Sequence, residues 1–120
     1  LDTLQNKLGI VYLKKMDYKN AEKHLLLSIK LNKYRAETYN NLGSLYIEAG
    51  KIDKAIYYLE KCIEIDPEFC LAYFNLGVAY HLKKNDKKAK EYFEKTLEIY
   101  PNFLPAREML KTISKGKKDL

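Results

Sequence analysis

Tyr39-Asn40-Asn41-Leu42-Gly43-Ser44-Leu45-Tyr46 returns in outline as Tyr73-Phe74-Asn75-Leu76-Gly77-Val78-Ala79-Tyr80, 34 residues further on. The same step carries Ala55 to Ala89 and Pro67 to Pro101, and one step back it reaches Leu8, Gly9, Tyr12 and Ala21. The period therefore covers residues 2–103 as three repeats. A unit of that length cannot bury its apolar face alone, so such units stack into a solenoid in which each covers its neighbour.

Within one repeat the apolar residues recur at three and four, the spacing of one helix face. Tyr39, Leu42, Leu45 and Tyr46 mark a helix from Ala36 to Ala49, closed by Gly50, the residue best suited to the left-handed turn past a helix end. Ala55, Ile56, Leu59, Cys62 and Ile63 mark a second, with Asp53 as an early acid and a stop at Asp66-Pro67. The same reading predicts helices over 3–15 and 18–31 in the first repeat and over 70–83 and 86–99 in the third, where Asn85 or Lys84 replaces Gly50. Gly43 and Ala55 are expected where the two helices of a hairpin cross, because a larger side chain there would push the axes apart. Tyr39 and Tyr46 flank that crossing, with rings between the helices and hydroxyls on polar partners.

The spacing Tyr39-x2-Leu42-Gly43-x2-Tyr46, followed by Ala55, Leu59 and Pro67, resembles the tetratricopeptide repeat signature, with Tyr in place of Trp. The third repeat matches it through Tyr73, Leu76, Gly77, Tyr80, Ala89, Phe93 and Pro101. The first departs at two places, where Gln5 replaces the first aromatic and Lys33 stands at the closing proline. The resemblance implies an all-α, right-handed superhelical solenoid of three helical hairpins, at 2–35, 36–69 and 70–103. The signature stops after Pro101. Residues 104–115 read as one capping helix, with Pro105 in its first turn and Ala106, Leu110 and Ile113 on one face. Lys111 occupies the glycine place, acceptable only where no second helix crosses, and 116–120 reads as a polar tail.

At the other end Leu4 and Val11 occupy the face that, in Ala72 and Ala79, meets a preceding hairpin. Three readings stay open: further repeats upstream in a longer parent, self-association through this edge, or scattered exposed apolar residues. Leu1 is not an initiator methionine, which suits a fragment or a processed chain.

No apolar run among the 120 residues approaches the roughly 18 needed to span a membrane, so no membrane span is expected. Cys62 and Cys70 lie on either side of the Pro67 turn, Cys62 at the small-residue place that Ser28 and Thr96 fill elsewhere. They read as two reduced thiols of a cytoplasmic protein; a metal site needs more ligands than they supply, and no cofactor is called for. The net charge of +6 comes from lysine, with a dense group from Lys83 to Lys90, while Arg35 and Arg107 are the only arginines. A solvated face explains this better than specific nucleic-acid recognition, which favours arginine's fork.

The resemblance places function on the concave surface lined by the first helix of each hairpin. It puts there Thr3, Asn6, Ile10, Leu13 and Lys14 of the first repeat, and Glu37, Asn40, Asn41, Ser44, Ile47 and Glu48 of the second. From the third come Leu71, Phe74, Asn75, Val78, His81 and Leu82. The second repeat is polar and acidic and the third mostly apolar. Leu71, Phe74 and Val78 are the expected apolar anchors for a partner peptide or helix, with Asn40, Asn41 and Asn75 as polar guides to its backbone. Relatives that grip chaperone C-terminal carboxylates do so through Lys, Arg and Asn at the places of Asn6, Ile10, Asn41, Leu71 and Asn75, where only Asn41 fits.

Catalysis finds no support in the residues. His24 is expected to face outward, His81 has no nucleophile at helical spacing, and Glu37 and Glu48 lie some 16 Å apart along one helix at 1.5 Å per residue. The expected role is a protein-protein interaction module, scaffold or adaptor. The alternatives are a regulatory or targeting segment of a larger protein, including an enzyme, and a self-associating structural unit.

Overall fold

The computed structural model describes residues 1–118, and among them are seven helices: α1 Asp2–Lys14, α2 Tyr18–Leu31, α3 Ala36–Glu48, α4 Ile52–Ile65, α5 Cys70–Leu82, α6 Asp86–Ile99 and α7 Leu104–Lys118. The first six pair as hairpins, stacked in chain order, and α7 packs on α6. One expectation is corrected at the end of the chain. α7 does not stop at Lys115 but runs through Gly116 to Lys118, into the segment read as a tail, and 119–120 lie outside the described residues. One exposed glycine costs a helix only about 1 kcal/mol, and the lysines around it are good helix formers.

Each hairpin turns through one left-handed residue, Met16 (φ 62°), Gly50 (φ 79°) and Lys84 (φ 63°). In all three the following amide bonds back into the first helix: Asp17 N donates to Tyr12 O at 2.9 Å, Lys51 N to Tyr46 O at 2.8 Å and Asn85 N to Tyr80 O at 2.9 Å. This closes the helix's last open carbonyls. Lys84 thus replaces Gly50, and Asn85 starts the next helix, its side chain accepting from Lys88 N at 3.2 Å as Asp17 accepts from Asn20 N at 3.3 Å.

At the helix crossing the residue that faces each glycine is large. A Cβ on Gly9 would stand 2.5 Å from Leu25 Cδ2 and one on Gly77 2.5 Å from Phe93 Cε1, while one on Gly43 would run into Leu59. Ala55, expected to meet Gly43, is fully buried, but the glycine makes room for the leucine one turn further on. Tyr39 and Tyr73 flank the crossing and donate to the carbonyls of Lys33 (2.9 Å) and Pro67 (2.8 Å). The first repeat manages without proline because that place supplies a backbone oxygen.

Stacking repeats as well. Thr38 and Leu45, Ala72 and Ala79, and Ala106 and Ile113 are equivalent pairs, none more than 4% exposed. Ser28 and Thr38 join across the first junction, Oγ to Oγ1 at 3.2 Å. Cys62 has the same packing role as Ser28, and burial pushes its thiol up to about 12, far from reactive.

Candidate peptide-binding groove

The first helices α1, α3 and α5 lie side by side, so equivalent residues form rows across their shared face. The floor of that face is a chain of amides. Asn6 Nδ2 donates to Glu37 Oε1 at 3.2 Å, Asn41 Nδ2 to Asn6 Oδ1 at 2.9 Å, and Asn75 Nδ2 to Asn40 Oδ1 at 3.0 Å and to Ser44 Oγ at 3.4 Å. Asn6 and Asn40 are buried, Asn41, Asn75 and Ser44 half-buried. The asparagines expected as free guides to a peptide are therefore engaged with one another. Neighbouring first helices approach closely enough for short amides to span them, and a buried amide left unpaired would cost about 1–3 kcal/mol.

The apolar end also differs from expectation. Phe74 is turned toward the C-terminal helix, its ring 5.5 Å from Phe93 and 5.2 Å, edge-on, from Phe103. Val78 packs in the same cluster with Ala106 and Ile113. Both belong in large part to the seat of α7. Leu71 remains open at 47% and Leu82 at 53%. Ile10, Leu13 and Ile47 are half-buried, the last two packed against the main core.

The histidines have partners that helical spacing did not reveal. His81 Nδ1 lies 2.8 Å from Asp86 Oδ1, across the third hairpin turn. His24 does not face outward: its ring stacks on Tyr12 at 5.3 Å and its Nδ1 lies 2.6 Å from Gln5 Oε1. His24 thus sits beside Gln5, where Tyr58 stacks beside Tyr39 in the second hairpin. Asp86 is the residue that reading along one helix face missed, because it belongs to the next element.

Among the described residues no group of three His, Cys, Asp or Glu is placed to hold a metal ion. No helix among them is long and apolar enough to cross a membrane.

Known proteins match this geometry closely. The first tetratricopeptide domain of Spaghetti (RPAP3), bound to the HSP90 peptide SRMEEVD, superposes with a TM-score of 0.93 at 22% identity, over 98% of this chain and 93% of that one. MamA does so at 0.91 and 29% identity, over 98% of this chain and 68% of the other. YrrB, described as a tetratricopeptide protein with an unusual peptide-binding site, gives 0.86 and 30% identity over 92% of this chain, which spans 57% of YrrB. No curated protein sequence matches the chain. Tetratricopeptide repeat family profiles match residues 1–68 and 70–103. With the period, the left-handed turns and the glycine crossings recurring in register, the chain belongs to the tetratricopeptide repeat family.

Proposed function

We propose that the chain is a protein-protein interaction module, without catalysis of its own, that captures a peptide or helix of a partner protein on its concave face as a scaffold or adaptor. The observation that carries this reading is the pair Leu71 and Leu82, 47% and 53% exposed on the groove side of α5. Burying a leucine fully against a partner contributes roughly 1.5–3 kcal/mol. The peptide held by the RPAP3 domain and the peptide-binding site described for YrrB support the reading. A cytoplasmic setting, which keeps Cys62 and Cys70 reduced, goes with it. The test is affinity capture with this chain beside a Leu71→Glu, Leu82→Glu version; Phe74 is left alone because it supports α7. A protein retained by the first and lost by the second is expected, whereas equal retention would move the contact to the lysine-rich turn or the N-terminal edge.

One observation favours a second reading, self-association. Leu4 and Val11 are 54% and 46% exposed, although every equivalent pair further along the stack is buried to 4% or less. A second copy laid on that edge would complete the pattern. Sedimentation over a dilution series would then show a monomer appearing, and Leu4→Asp should abolish the larger species; a monomer at all concentrations would end this reading.

A further inference from the structure

The rows that cross the groove have one order of chemistry at both ends. Near the start of the first helices the row is Thr3, Glu37, Leu71; near their ends it is Lys14, Glu48, Leu82. All six side chains are exposed. The face is therefore banded along the solenoid, with polar and basic residues on α1, two carboxylates on α3 and two leucines on α5. Asn6 holds the Glu37 carboxylate from below. Glu37 also closes the floor through Asn6, and Thr3 accepts from Arg35 Nη2 at 2.6 Å, but Lys14, Glu48, Leu71 and Leu82 are not needed by the hairpins, since stacking uses the buried pairs from Thr38 to Ile113.

Resting on the proposal that the groove takes a peptide, we infer that its ligand is an apolar-basic segment. An apolar side chain seats on Leu71 or Leu82, and a lysine or arginine follows over Glu37 or Glu48. Adjacent helix axes stand about 8–10 Å apart, and an extended chain advances about 3.3 Å per residue, so the two ligand residues are about three positions apart. An acidic residue at the place of the cation would meet the α3 carboxylates and be repelled. The acidic peptide SRMEEVD, which the RPAP3 domain holds, is thus the wrong chemistry here. Asn6, Ile10, Asn41, Leu71 and Asn75 offer it no cation at the places where chaperone-tail binders use lysine and arginine.

The experiment uses three short amidated fluorescent peptides that share two leucines and carry two lysines, two glutamines or two glutamates three positions away, with SRMEEVD as a fourth. Anisotropy titrations on the full chain are expected to rank lysine over glutamine over glutamate, with about tenfold between the extremes, the scale of two exposed charge pairs made or opposed. SRMEEVD should bind no better than the glutamate peptide. Glu48→Lys should shrink the spread without change in the thermal unfolding midpoint, and Glu37→Lys with Glu48→Lys should invert it with a lowered midpoint, because the buried Asn6 amide loses its acceptor. Equal binding of the three leucine peptides, lost in Leu71→Glu with Leu82→Glu, would overturn the banding while leaving the groove reading intact. No binding by any peptide would overturn both, and tighter binding of the glutamate peptide or of SRMEEVD would overturn the banding outright.

Discussion

Hairpins two and three share a period, a turn and a glycine crossing, yet they solve the interior with different chemistry. In hairpin two Gly43 receives Leu59, and the residue beside the crossing is Asn40, a 6% exposed amide whose oxygen accepts from Asn75. In hairpin three Gly77 receives the larger Phe93, and the place of Asn40 is Phe74, whose ring leans on it. Polar links thus run from α1 to α5 and stop there, and an aromatic cluster takes over to seat α7. Where a chain of directional bonds must pass to a terminal helix that offers no matching amide, ring packing does the joining.

The sharpest way to break that contrast is to remove the knob from each glycine hole. Phe93→Ala should cost about 3–5 kcal/mol and Leu59→Ala about 2–5. Phe93→Ala should also loosen α7, because Phe74 loses a partner, and urea unfolding followed by hydrogen exchange in α7 checks both parts. Next in size, Asn75→Ala leaves the buried Asn40 oxygen without its donor and should cost about 1–3 kcal/mol in the same assay.

A smaller effect, of opposite sign in the two hairpins, comes from the turns. Lys84→Gly should stabilise by about 1 kcal/mol, since a lysine at φ 63° is strained, and Gly50→Ala should destabilise by a similar amount. Thermal midpoints that move the same way would show that the turns are not equivalent. The smallest effect lies at the junction of hairpins one and two. Arg35, bonded to Asp2 at 2.7 Å, holds that carboxyl below its ordinary value. The stability this link contributes is present above the usual carboxylate range and is lost as pH falls below it. Asp2→Asn should therefore lower the midpoint slightly at neutral pH, and by less as pH falls through the lowered value of that carboxyl.

Sequence periodicity reveals contacts made along one helix or within one hairpin, and misses those made sideways. The bounds of the six hairpin helices, the places of the crossing glycines and the face of α7 carrying Ala106 and Ile113 repeat at a fixed step and could be read, whereas the end of α7 and the leucine that faces Gly43 could not. The amide chain could not, because Asn41 meets Asn6 and Asn75 meets Asn40 between helices of different repeats, at an offset one longer than the period. Phe74 reads as a groove anchor because its helix puts it there, whereas Phe93 and Phe103, in the next helix and in the loop before α7, draw it away. His81 reads as unpaired in the sequence because Asp86 lies past a turn whose left-handed residue brings it back.

The amide chain ties the first helices together on the inner side of the curve, from Glu37 and Asn6 through Asn41 to Asn40 and Asn75. Straightening or tightening the curve has to shear these short bonds, so the arch behaves as a stiff member with its reinforcement on the loaded side. On the proposed function, a segment arriving there would find the span between Leu71 and Glu37 already set, and little of its binding energy would be consumed in bending the receptor. Selectivity for the spacing of residues in such a ligand would then follow from the stiffness of the floor as much as from the side chains above it.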